Sequence, residues 1–125
     1  MMAATRAAAA FCASLLLIGT ARADGDATRG EAKFQECAAC HKLDDGANGM
    51  GPSLHGLFGR KAGELTDFRY SPALKRSGIV WSPQTLETYL TDPQAVVPGN
   101  RMPYAGMADP HDRADLIAYL LRAAQ

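Results

Sequence analysis

The stretch Cys37-Ala38-Ala39-Cys40-His41 decides how this chain reads. C-x-x-C-H is the attachment signature of a c-type haem, and the spacing has a chemical reason. On a helical turn, residues three apart project from one face, so Cys37 and Cys40 can each add a thiol across a haem vinyl group. Two thioether bonds then anchor the ring. His41, the next residue, is carried under the iron and can offer an imidazole nitrogen as the proximal ligand. Other uses of the pair fit less well. A thioredoxin-like redox pair needs a βαβ setting that the flanking sequence lacks. A structural zinc site needs four ligands, and there is neither a second cysteine pair nor a His-x-x-x-His. A disulfide between Cys37 and Cys40 would close a very tight loop.

The N-terminal residues point to export. Arg6 precedes an apolar run from Ala7 to Ile18, and Ala21-Arg22-Ala23 follows as a small-x-small site, the pattern of a secretory signal peptide over residues 1–23 cut after Ala23. The run is too short to span a bilayer comfortably, so no integral membrane segment is expected after processing. Cys12 lies inside the run and would leave with it, so both cysteines of the processed chain belong to the haem motif. A periplasmic location fits covalent haem attachment, which bacteria carry out on the outer face of the inner membrane.

Removing the first 23 of the 125 residues leaves 102, a single small domain over residues 24–125 whose own core is modest. A buried porphyrin would supply much of the missing apolar interior, so the haem-free chain is expected to be largely unfolded. The whole chain balances 13 basic against 13 acidic residues; without Arg6 and Arg22 it carries 11 against 13, a net of −2. That charge excludes nucleic acid as a partner.

The pattern along residues 24–125 is helical, without convincing strand alternation. Gly30, Phe34 and Cys37 share a helical face from about Ala27 to Ala39, entered through Asp26-Ala27-Thr28 as capping residues. Asp44 to Gly63 holds six glycines and reads as a long irregular loop, which needs something such as a haem edge to organise it. Ser71-Pro72, Ser82-Pro83 and Asp109-Pro110 open three further helices, to about Arg76, Asp92 and Ala123, with Pro93 stopping the second of them. Leu116, Tyr119, Leu120 and Ala123 form the apolar stripe of the last helix, and Gly30 would permit a close crossing between it and the first. The fold class is therefore all-α, with about four to five helices and long loops wrapped round one covalently bound haem.

The sixth position of the iron decides between a carrier and an open, reactive haem. By residue type the candidates are His55, His111, Met50, Met102 and Met107. Met102 stands in a loop flanked by Pro98 and Pro103, which restrict the backbone and help hold a weak thioether bond.

A wider resemblance completes the reading. Gly51-Pro52-Ser53-Leu54-His55-Gly56-Leu57-Phe58-Gly59-Arg60-Lys61-Ala62-Gly63 resembles the GPNLHGLFGRKTG segment of the mitochondrial cytochromes c. So do Phe68-Arg69-Tyr70-Ser71, Gly78-Ile79-Val80-Trp81, Leu86 to Leu90, Pro98 to Met102, and Asp115 to Leu120. The chain thus resembles class I c-type cytochromes of the mitochondrial and bacterial soluble type. The resemblance implies that Met102 is the distal ligand opposite His41, with His55 and His111 in structural or surface roles. It implies that the Pro52 carbonyl orients the proximal histidine. Arg60, Tyr70 and Trp81 would donate to the haem propionates, and Tyr89 and Asn100 would lie near the methionine sulfur and tune the potential. One departure is plain. Where mitochondrial relatives ring the haem edge with lysines, the matching positions here are Glu36, Gln94, Ala95, Ala108, Asp109 and Pro110, and only Arg101 keeps a charge of that sign. Steering onto acidic partners should be weaker.

The implied function is one-electron transport in a respiratory chain by a monomeric periplasmic monohaem carrier, not an enzyme. Its redox partners would be a membrane oxidase, a reaction centre, a bc-type complex or a periplasmic dehydrogenase. Two alternatives remain at this point: an electron-accepting subunit held by such a dehydrogenase, and a peroxidase or ligand-binding protein with an open iron.

Overall fold

A computed structural model describes residues 25–125. The signal segment expected over residues 1–23 lies outside the described residues. Five helices follow in order: α1 (Ala27–Ala38), α2 (Pro72–Arg76), α3 (Pro83–Thr91), α4 (Pro93–Val96) and α5 (Pro110–Ala123). Among the described residues there is no strand, and the only pairing of that kind is one isolated antiparallel bridge between Lys61 and Val80.

Each helix starts where a short polar side chain can take an orphan amide. Asp26 accepts from the Arg29 amide, Ser71 from Leu74, Ser82 from Thr85, Asp92 from Ala95 and Asp109 from His111. Proline occupies the first turn of the last four, where its missing N–H costs nothing. α4 differs from the sequence expectation. Pro93 does end α3, but Asp92 then caps a new turn, so the same proline also starts a helix.

The frame is the crossing of α1 and α5. Gly30 is the contact point: a Cβ there would run into the Asp115 carbonyl of α5. Phe34 packs beside it against Tyr119, ring centroids 5.4 Å apart. Asp115, only 4% exposed, ties the two helices together. Its carboxylate accepts from the Asp26 amide (2.6 Å) and from Arg29 Nε and Nη2 (2.8 and 3.1 Å). These bonds hold its pKa below the usual carboxylate range. Arg113, also buried, reaches the other way, from Nε to Glu87 of α3 (2.7 Å) and from Nη1 to the carbonyls of Met107 and Ala108 (2.7 and 3.0 Å). It therefore joins α5 to α3 and to the end of the loop that carries Met102. Phe34, Leu57, Trp81, Leu86, Tyr89, Leu90, Val97, Met107, Leu116, Ile117 and Leu120 form one continuous core.

Candidate functional site

The core is hollow on one side. A cavity of about 420 Å³ lies between α1, α3, α5 and the two long loops, with mostly apolar walls and a mouth open to solvent. All ten residues singled out in the sequence line it: Cys37, Cys40, His41, Pro52, Arg60, Tyr70, Trp81, Tyr89, Asn100 and Met102. They come from positions 37 to 102 of the chain, and only the fold brings them together.

At one wall α1 ends inside the motif. The amides of Cys40 and His41 both donate to the Cys37 carbonyl (3.0 and 2.9 Å), so a tight turn keeps both thiols on the cavity side. Both are free and partly buried. Burial, reinforced by neighbouring Glu36, pushes the Cys37 thiol up to about 11, so it stays a neutral thiol rather than a reactive thiolate. His41 Nδ1 donates to the Pro52 carbonyl at 2.7 Å, which leaves Nε2 as the free, lone-pair nitrogen. Burial lowers the His41 pKa more than this bond raises it, so the imidazole is neutral, the form that binds a metal.

Gly51 is a site residue that the sequence reading missed. A Cβ at that position would collide with the His41 ring, and its amide donates to the Cys40 carbonyl at 2.9 Å. The chain therefore lies flat against the imidazole and delivers the Pro52 carbonyl to it. The signal was available in Gly-Pro following the histidine, but spacing alone could not tell packing from a turn.

Met102 lies on the cavity wall with its sulfur 3.9 Å from the Tyr89 hydroxyl, within reach of a weak O–H to sulfur hydrogen bond. Tyr89 is buried, packed edge-on against Trp81 with centroids 5.1 Å apart, and burial pushes its phenol up to about 12. It is therefore always a donor at neutral pH. Asn100 stands beside Met102 and bonds to backbone. Its amide nitrogen donates to the Pro93 and Val97 carbonyls (2.8 and 3.0 Å) and its side-chain oxygen accepts from the Met102 amide (2.9 Å), so it fastens the methionine's backbone to α4. Gln94, which the sequence placed only at the haem-edge rim, adds a bond to the Asn100 carbonyl at 3.0 Å.

Tyr70 and Trp81 are buried and Arg60 is partly so. Arg60 gives two of its five N–H groups to backbone, Nη1 to His55 and Nη2 to Ser53 (2.8 and 2.9 Å). It braces the loop and retains donors besides. That loop is better ordered than its glycines suggest. Ser53, fully buried, donates to the Asp44 carbonyl (2.5 Å), its amide donates to Asn48 Oδ1 (2.9 Å), and Asn48 Nδ2 reaches the Asp67 carbonyl (3.2 Å). His55 and His111 are exposed, and Met107 is buried in the core.

The donor set suits an iron porphyrin. Two neutral thiols, one imidazole nitrogen and one thioether line an apolar cavity that also carries guanidinium, phenol and indole groups.

Comparisons with known proteins agree. Residues 27–124 match the family model for Cytochrome c. A cytochrome c2 iso-2 of Magnetospirillum fulvum is 51% identical over 87 residues, covering 70% of this chain and 91% of that protein. A cytochrome c2 of Agrobacterium tumefaciens is 45% identical over 105 residues, covering 81% and 95%. The solved structure of cytochrome cH from Methylobacterium extorquens superposes with a TM-score of 0.73 at 45% identity, covering 78% of this chain and 98% of that one. The chain belongs to the cytochrome c family and is an electron carrier with one covalently bound haem c, for which Cys37 and Cys40 fit the attachment motif.

Proposed function

We propose that His41 and Met102 are the axial ligands of the haem iron in both oxidation states, and that the protein is a periplasmic one-electron shuttle. The observation that supports this most is the pair of fastenings on opposite walls of one cavity. The Pro52 carbonyl aims the His41 ring, and Asn100 pins the Met102 backbone to α4.

When bound, the haem supplies the one-electron couple between ferric and ferrous iron. Cys37 and Cys40 hold the ring by two thioethers. Pro52 and Gly51 keep the imidazole in one tautomer and one orientation, which also raises its basicity as a ligand. Tyr89 donates toward the Met102 sulfur and so adjusts its donor strength. Leu57, Leu74, Leu86, Leu90, Leu116 and Leu120 give the cavity apolar walls that would leave little room for water round a bound haem, so little would have to rearrange when charge changes. Two neutral ligands in a dry pocket favour the reduced form, and the potential is expected to be high. Arg60, Tyr70 and Trp81 are proposed to hold the propionates.

The test of the ligand pair is Met102→Ala. It opens the iron, lowers the potential and gives the ferrous protein a carbon monoxide affinity that the wild type lacks. Unchanged affinity would remove Met102 from the iron.

The processed chain is proposed to run from residue 24 to 125 after cleavage behind Ala23. Mass spectrometry of the periplasmic protein should give a chain beginning at Asp24. Its partners are proposed to be redox proteins of the membrane or periplasm: an oxidase, a reaction centre, a bc-type complex or a dehydrogenase. A free shuttle elutes alone on size exclusion of a native extract, whereas co-elution with a dehydrogenase would identify it as a subunit.

A further inference from the structure

The charges round the cavity mouth fall into two groups of opposite sign. The basic group consists of Arg69 and Arg101, which line the mouth, and Lys75 and Arg76, which end α2. All four are exposed, and none forms an ion pair among the described residues. Arg101 Nη1 donates to the Tyr70 carbonyl at 3.4 Å, which places it beside Arg69.

The acidic group lies at the other corner. Glu36 is exposed, lines the mouth and accepts from the Tyr104 hydroxyl at 3.3 Å. Asp109 and Asp112 stand close by, since Lys33 sits within the field of all three carboxylates. Lys33 pairs with Asp112 at 2.9 Å, so the corner keeps a negative balance. Arg101 and Tyr104 are three residues apart, a span of at most ~10 Å. The two corners therefore flank one opening.

We propose that this two-signed rim is a transient docking surface for a second copy of the chain. A two-fold axis through the mouth lays the acidic corner of each copy on the basic corner of the other, a self-complementary contact. A partner of one sign would meet one attractive and one repulsive corner; a second copy satisfies both, and a net charge that is −2 for residues 24–125 before the haem propionates are added is small enough to be screened at modest salt. The pairing brings the two cavity mouths together, so that bound haems would lie close enough for electron exchange between a reduced and an oxidised copy. One electron leaves one iron and arrives at the other, with no proton moved and no bond formed or broken. The exchange rests on the ligand pair proposed above; the attraction between surfaces does not.

The test uses the holoprotein. Static light scattering in a single oxidation state should show net attraction at about 10 mM salt that disappears by about 200 mM. Over the same range the self-exchange rate, read from NMR line broadening of mixed ferric and ferrous samples, should fall several-fold. Copies that simply repel would exchange faster as salt rises, and that sign would overturn the proposal. Glu36→Lys and Arg69→Glu should each lose the attraction alone. An equimolar mixture of the two should regain it, because one then carries a basic rim and the other an acidic one. Attraction unchanged in either single variant would also overturn it. Ferric spectra of the same samples report the iron ligands separately, so a failure of the ligand pair is distinguishable from a failure of the docking surface.

Discussion

Where α1 crosses α5, backbone lies on backbone at Gly30, and one buried carboxylate, Asp115, closes the contact with three hydrogen bonds. The loop from Asp44 to Gly63 touches the helices at few points, Leu57 in the core and its amide on the carbonyl of Ala124, the residue that caps α5 (3.3 Å), among them, and is otherwise braced largely by polar bonds through Ser53, Asn48 and Arg60. The first region can dock by direct packing of the chain on itself. The second faces the cavity on its inner side, where a bound haem would add to the apolar contacts that Leu57 and Ala62 already make with the core. The difference separates a frame that presents the attachment motif from a wrapping that the cofactor completes.

The largest effect should come from removing what both regions share. Cys37→Ala with Cys40→Ala should abolish covalent haem, seen as loss of haem-linked absorbance on a denaturing gel. Far-ultraviolet circular dichroism should then fall toward that of an unfolded chain, with any remaining helix in α1 and α5. A loop that kept its hydrogen-exchange protection without haem would contradict the division.

Within the holoprotein the frame should be the less forgiving region. Gly30→Ala forces α1 away from the Asp115 carbonyl and is expected to cost about 3 kcal/mol in chemical denaturation. Ser53→Ala leaves the Asp44 carbonyl and the His55 amide without their hydroxyl partner, and should cost about 1 to 2 kcal/mol. Equal losses from the two substitutions would erase the distinction.

A smaller effect is confined to acid. The folded-state pKa of Asp115 is depressed, so its stabilising contribution is complete above the ordinary value near 3.8 and disappears as pH falls through the lower folded value. Asp115→Asn should lower stability at neutral pH and flatten the acid limb below about pH 4. An acid limb as steep as in the wild type would assign it to other carboxylates.

Much of the frame was readable because its signals are local. Ser-Pro and Asp-Pro pairs mark helix starts by one capping oxygen and one fixed φ, and four of the five helices begin at or within a residue of the expected places. α4 was not foreseen because Asp92-Pro93 carries the same signal but supports only four residues. The burial of Asp115 and Arg113 was not read because a charge on an amphipathic helix is ordinarily solvated; the crossing at Gly30 and the neighbouring α3 bury them. The ligating and attachment residues were visible through residue chemistry and family resemblance. Of the fastenings, the Pro52 carbonyl was visible in the same way, but the bonds of the Asn100 side chain to backbone were not, and Gly51 acts through the side chain it lacks.

The central claim is that His41 and Met102 both bind the iron at rest, and the absorption of ferric protein at neutral pH tests it most directly. Sulfur on ferric iron gives a weak band at the red edge of the visible spectrum. The wild type should show it, and Met102→Ala should lose it while keeping covalent haem. A ferric wild type without the band, or a Met102→Ala variant that retains it, would contradict the account.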